Sequence, residues 1–174
     1  NARGGVLLID EAYSLATDGL GTDPYAQEAI DTLVGQCELP ENAQTLVILA
    51  GYPGPMRRFL DANSGLSSRF PVRVDFFDYT GDECIQILRG WLRREFSGFE
   101  LPGDEELLVV LSDSIAQVRD TDNFGNARDI ESLGKMIQQA CDVRRFDQPD
   151  DQTFHPTRED IIEGLQQWLA QRNQ

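Results

Sequence analysis

At 174 residues, 40% of them apolar, the chain is one globular domain or two closely packed subdomains with material for a core. Its 30 acidic residues against 15 basic ones leave a net charge of −15, which repels phosphate backbones and sets nucleic acid aside as a bulk ligand. No apolar run approaches the roughly 18 residues of a membrane span, and the first residues do not read as a basic-then-apolar leader, so the expectation is a cytoplasmic protein. Cys37, Cys84 and Cys141 are odd in number and lack CxxC spacing, which reads as structural or incidental thiols. His155, the lone histidine, stands beside Pro156 as a loop residue and leaves no material for a histidine-based triad or zinc site. Asn1 is not an initiator methionine, which suggests a fragment or a processed product.

In chain order, Val6–Ile9 reads as a fully buried strand, short, aliphatic and preceded by Gly4 and Gly5. A polar loop over 17–25 follows, either a plain connector or a pore-facing element, in which Asp23 can cap a helix opening at Pro24. Ala26, Ile30, Leu33 and Val34 form that helix's apolar stripe. "TLVILAG" is a second continuous buried strand, broken by "YPGP"; a short helix near 56–60 precedes "VRVDF", whose alternating Val72, Val74 and Phe76 predict a third strand. Beyond Thr80, which forms a capping box with Glu83, only helices are legible: one carrying Ile85, Leu88, Leu92 and Phe96 on one face, then about 105–117, 126–145 and 158–171, the last capped by Thr157. The expected fold is α/β: a parallel-sheet segment over 1–79 joined to an all-helical subdomain over 80–174.

The chemistry concentrates where "VLLIDEA" ends on two carboxylates. Open α/β sheets place ligands at the carboxyl ends of their strands. In P-loop nucleotidases an acid there holds the Mg²⁺ that bridges the β- and γ-phosphates, and an adjacent carboxylate can orient and polarise water. Asp10 is the candidate magnesium-side acid and Glu11 the candidate base, against the plainer reading of a surface turn or helix cap. "NSGLSSRFP" places Arg69 at the rim of the domain, where an arginine can neutralise transition-state charge on a neighbour's γ-phosphate, with Arg73 as competitor. "NFGNARDIESL" sets Arg128 in the first turn of a helix after Gly125. A cation there opposes the macrodipole, which favours a functional reason for it. "AGYP" brings Tyr52 beside the acid pair if the two strands are neighbours, either to orient water or as a core tyrosine.

"GGVLLIDEAYSLA", "QEAIDTLV", "LVILAGYP", "GLSSRFP" and "FGNARDIE", in this order, resemble the CbbX-like AAA+ ATPases, the group of red-type Rubisco activase and stage V sporulation protein K. The resemblance implies a partial AAA+ (P-loop NTPase) core followed by a helical lid. It sets Asp10 and Glu11 at Walker B, Tyr52 at sensor 1 (Asn, Ser or Thr in many AAA+ proteins), Arg69 at the arginine finger and Arg128 at sensor 2. It further implies Mg²⁺ with ATP, a homo-oligomeric ring, a hexamer, and an ATP-driven remodelling activity on a protein substrate.

No G-x-x-x-x-G-K-[ST] is present, and the only lysine, Lys135, reads as a solvated helix residue. In the resembled family the P-loop and pore loop precede Walker B. The chain by itself is therefore expected to bind ATP weakly or not at all, to be inactive alone, and to leave an apolar sheet edge exposed. Two other readings remain: a non-catalytic AAA+-like partner module that lost the P-loop, and, disfavoured by charge, a DNA-directed ATPase suggested by "SSRF".

Overall fold

The structure, a computed structural model, describes residues 2–15, 24–62, 64–121, 123–148 and 154–172. The chain divides into two compact units, Asn1–Phe76 and Phe77–Gln174.

In the first unit, strand β1 (Val6–Ile9) leads through a 3₁₀ turn (Ala12–Leu15) towards helix α1 (Pro24–Glu38), and a second 3₁₀ turn (Pro40–Asn42) enters strand β2 (Leu46–Leu49). The strands pair in parallel, Val6 with Leu46 through Ile9 with Leu49. A parallel pair needs a crossover, and α1 lies within it. Helices α2 (Pro53–Asp61) and α3 (Ser64–Arg69) follow. Ala12, Ile30, Phe59 and Leu66 form the buried centre, with Ile9, Leu33, Val34, Leu49 and Met56 packed around it. Ile30, Leu33 and Val34 of the stripe read on α1 are thus on its inward face; the Ala26 side chain, Asp23, the expected cap, and the 17–23 stretch of the polar loop lie outside the described residues.

Two expectations for this unit are corrected. Val6–Ile9 and Leu46–Leu49 each read as a fully buried strand, with only an apolar sheet edge expected to be exposed for want of neighbouring strands, but a whole face, that of Val6, Leu8, Leu46 and Ile48, is exposed. Helices pack only the opposite face, and an aliphatic strand is buried on both faces only where layers cover both. The third strand does not form among the described residues: 72–76 is irregular, with Phe76 93% exposed. Its period-2 alternation is real, but a strand needs a ladder partner, and the described sheet has two strands. Between the short helix and residue 70 no element is legible in the sequence; there Leu66, fully buried, anchors the serine-rich α3 despite its weak helix propensity.

The second unit is helical: α4 (Gly81–Glu95), α5 (Glu105–Arg119), α6 (Ala127–Asp147) and α7 (Arg158–Arg172). Leu88, Leu92, Leu107, Leu111, Ile115, Ile130, Leu133, Ile137, Ile161 and Trp168 fill its core. The caps are sharp. Glu83 N–H donates to Thr80 Oγ1 (3.3 Å) while Thr80 N–H donates to Glu83 Oε2 (2.8 Å), the capping box expected there. Asp104 accepts the Glu106 and Leu107 N–H groups at 3.1 and 3.3 Å, and Arg158 Nε at 2.9 Å. Thr157 Oγ1 accepts the Asp160 N–H (3.3 Å) and Thr157 N–H returns to Asp160 Oδ2 (2.8 Å).

Asp160 is 2% exposed. Its charge is met by Arg144 Nε, 3.1 and 3.0 Å from the two carboxylate oxygens, and Arg144 Nη2 also donates to the carbonyl of His155 (3.1 Å). His155, exposed in its loop as expected, stacks on Phe99 with centroids 5.8 Å apart. Where α6 and α7 meet, a Cβ on Gly164 would lie 2.6 Å from Ile137 N and Cα, so only glycine permits the approach. Cys84 and Cys141 are core residues, and burial raises both thiol pKa values.

Breaking a buried ion pair from one side leaves the other charge uncompensated. Arg144→Ala is therefore expected to destabilise the chain by about 3 kcal/mol in urea unfolding. The Glu83 carboxyl is held below its ordinary pKa by the Thr80 backbone and side chain, and Asp104 by the Leu107 amide and then Arg158. A lowered folded-state pKa stabilises above the unfolded value and is lost as pH falls through the folded one. Stability is expected to fall below about pH 4, with a shallower acid limb in Asp104→Asn, measured by urea midpoints across pH.

Candidate nucleotide-contacting site

The parallel register places residues 10 and 11, just past β1, level with 50 and 51, just past β2. The ladder continues through this point: Ala50 N–H donates to Ile9 O (2.9 Å) and Ala12 N–H to Ala50 O (3.0 Å). Between those bonds Glu11 adopts φ +48°. A non-glycine residue in the left-handed region costs of order 1 kcal/mol. The turn it makes buries Ala12 completely while Asp10 and Glu11 stay exposed. Asp10 Oδ1 accepts the Glu11 N–H at 3.0 Å, which fixes one carboxylate oxygen.

Tyr52, the N-cap of α2, stands 67% exposed beside this turn, with its ring centroid 6.4 Å from that of Tyr13. Tyr13 was not anticipated. Its phenol pKa is raised, first by burial, then by the negative charge of Glu11, the Tyr52 phenol and Asp10, and by a hydrogen bond to Glu11. Gly51 makes room for it: a Cβ there would meet Tyr13 Cδ1 at 2.7 Å, Cε1 at 2.8 Å and Met56 Cγ at 2.9 Å. The usable signal was the glycine itself, since glycine at a strand end marks a close approach. Asp10, Glu11, Tyr13 and Tyr52 thus share one strand-end site, two carboxylates and two phenols on an exposed rim.

The arginines are placed differently. Arg69 ends α3, where its Nη2 forms an ion pair with Glu38, the last residue of α1, and its Nη1 donates to Gly65 O (3.0 Å) and Ser68 Oγ (3.3 Å). Arg69 Nε is buried without a hydrogen-bond partner. Arg73 reaches Asp75 Oδ1 through Nε (2.8 Å) and Nη2 (2.7 Å). Both candidate fingers are therefore occupied by acids of their own unit. In the second unit Arg128 is exposed in the first turn of α6 and has no ion-pair partner among the described residues. The neighbouring Asp129 is already engaged, by the Gly125 N–H (2.5 Å) and by Arg172.

No protein-family model matches the chain. Among curated proteins it is 36% identical over 148 residues to the ESX-1 secretion system protein EccA1 of Mycobacterium leprae, a match covering 82% of this chain and 26% of that protein. It is 39% identical over 146 residues to a CfxQ homolog of Trieres chinensis (84% and 48%) and 38% identical over 133 residues to stage V sporulation protein K of Bacillus subtilis (75% and 39%). These relatives are AAA+ ATPases, two of them of the types named by the sequence motifs. Over most of its length the chain is homologous to these AAA+ ATPases. It spans about a quarter of EccA1 and under half of the CfxQ homolog. In this AAA+ homologue, Lys135 is an exposed residue on α6, as expected.

Removing the Glu11 charge is expected to lower the Tyr13 pKa part of the way back to that of a free tyrosine, because a nearby anion disfavours the phenolate. Tyrosine absorbance titration of Glu11→Gln against the parent checks this, and an unchanged titration would separate Tyr13 from the acid pair.

Proposed function

We propose that the chain is the Walker B-to-sensor 2 portion of an AAA+ ATPase that hydrolyses Mg²⁺-ATP within a homo-oligomeric ring, a hexamer, in the cytoplasm, and thereby remodels a protein substrate. Residues 1–79 are then the later half of the nucleotide-binding subdomain and 80–174 its lid. Asp10 lies on the magnesium side, Glu11 acts as general base, Tyr52 stands at sensor 1, Arg69 is the finger and Arg128 is sensor 2. The observation that carries this reading is the strand-end acid pair: two adjacent, exposed carboxylates on a strained turn, at the edge where open α/β sheets take ligands.

The donor set suits Mg²⁺. Mg²⁺ keeps several waters and takes one or two carboxylates plus phosphate oxygens, and among the described residues no group of three or more His, Cys, Asp or Glu side chains could cage a metal. Bound with nucleotide, the ion neutralises charge on the β- and γ-phosphates. Asp10 would hold it, with Oδ2 the oxygen not already taken by the Glu11 amide. Glu11, exposed and next in sequence, would accept a proton from water, its carboxylate also meeting the Tyr13 phenol. Arg69 can serve a neighbouring subunit once it leaves Glu38, an exchange of one carboxylate for a more highly charged phosphate. The bare face of Val6, Leu8, Leu46 and Ile48 is covered, on this reading, by the remainder of the nucleotide subdomain.

The complete protein decides the matter. Glu11→Gln is expected to lower ATP turnover by roughly a hundredfold or more while Mg²⁺-ATP still binds. Unchanged turnover removes Glu11 from the base role. A complete protein that neither binds nor hydrolyses ATP removes the enzyme reading in favour of a non-catalytic AAA+-like module.

A further inference from the structure

We propose that Asn126 is a positioning residue for Arg128, fastening the first turn of α6 to the residues that open the helical unit. The inference rests on the reading of Arg128 as a nucleotide-contacting cation. Asn126 occupies the N-cap of α6, a place where asparagine ordinarily bonds its own helix's free N–H groups. Here it makes no such bond. Its Nδ2 instead donates to Asp78 Oδ1 (2.7 Å) and its Oδ1 accepts the Tyr79 N–H (2.9 Å), partners 48 and 47 residues away in sequence.

The backbone at this point is also unusual. Asn126 has φ +55° and ψ −129°, off the left-handed helical basin and in territory that glycine occupies far more readily. Strained backbone persists where the surroundings over-determine it and gathers at functional sites. Glycine would satisfy the backbone but not the bonds. Aspartate would keep the acceptor for Tyr79 N–H but would set a second carboxylate against Asp78. Only an amide of this length supplies a donor and an acceptor together.

What the clamp holds is the launch point of Arg128. Arg128 N–H donates to Gly125 O (3.2 Å), so the backbone on either side of Asn126 sets the direction of the first turn. Asp129, the acid next to Arg128, is engaged by Gly125 and Arg172, so Arg128 keeps its charge for an external anion. Asp78 and Tyr79 run directly into Thr80, the capping residue of α4. Asn126 therefore joins the starts of α4 and α6 and fixes the arginine relative to both.

The test compares Asn126→Gly, Arg128→Ala and the double variant in the complete protein, with amide exchange at Tyr79 as a second readout. Asn126→Gly is expected to fold, to lose protection at the Tyr79 amide, and to raise the KM for ATP roughly tenfold, the scale of a displaced hydrogen bond to a charged group. Combined with Arg128→Ala it should add nothing further. Wild-type KM in Asn126→Gly, retained Tyr79 protection, or effects that add to those of Arg128→Ala would each overturn the proposal. If Arg128→Ala itself leaves KM and kcat unchanged, the reading of Arg128 fails and takes this inference with it. If Arg128→Ala is impaired and Asn126→Gly is not, the inference alone fails.

Discussion

Everything at the strand-end site follows from the parallel ladder between β1 and β2. With Ile9 opposite Leu49, the chain leaves both strands at the same level, and the next residues on each side must turn within a few ångströms of one another. Glu11 turns through a left-handed backbone, and Gly51 yields the space that a side chain would take. A slip of one residue would carry Ile9 and Leu49 to the bare face and swing the acid pair away from Tyr52. The hydrophobic pattern of two four-residue strands thus fixes the geometry of a polar site to which those strands contribute no side chain.

The helical unit holds its shape by a different device. Its core is aliphatic and continuous, but the helix ends are organised by carboxylates: Glu83, Asp104, Asp129 and Asp160 each accept N–H groups at or near the start of a helix. Three of them also meet an arginine, with Arg158 on Asp104, Arg172 on Asp129 and Arg144 on Asp160. In a chain with twice as many acids as bases, this assigns several of the scarce cations to structural work. Among the described residues Arg128 is left out of that pairing.

The sequence made some of this legible and not the rest, for physical reasons. The two strands, the described helices apart from α3, and the caps at Thr80 and Thr157 were readable because they rest on local chemistry: short aliphatic runs, 3.6-residue stripes and short hydroxyl-to-carboxylate spacings. Exposure of one sheet face was not readable strand by strand, since an aliphatic run encodes what a strand can bury and not what arrives to cover it. The segment 72–76 failed similarly: alternation encodes two faces, but a ladder needs a second chain. At the site, the acid pair and Tyr52 stood in one motif each. Tyr13 depended on a contact with Gly51 across the sheet, and the Glu38–Arg69 pair on the packing of α1 with α3. Asn126 was hidden by the same kind of distance, its partners lying in another segment of the chain.

Glu38 gives the pairing of Arg69 a further meaning. As the last residue of α1 it sits at the negative end of a helix dipole, the wrong end for an acid. Arg69, in the last turn of α3, sits where a cation is favoured. Their ion pair relieves the first and satisfies the second, but Glu38 is more than half exposed and the pair is worth at most about 1 kcal/mol. A phosphate group offers more charge than one carboxylate, and Arg69 Nε is a buried donor without a partner. The pair is therefore strong enough to hold the guanidinium in one place and too weak to keep it there against a better anion. On the reading proposed above, in which Arg69 serves a neighbouring subunit, that balance lets it wait ordered and then change partners.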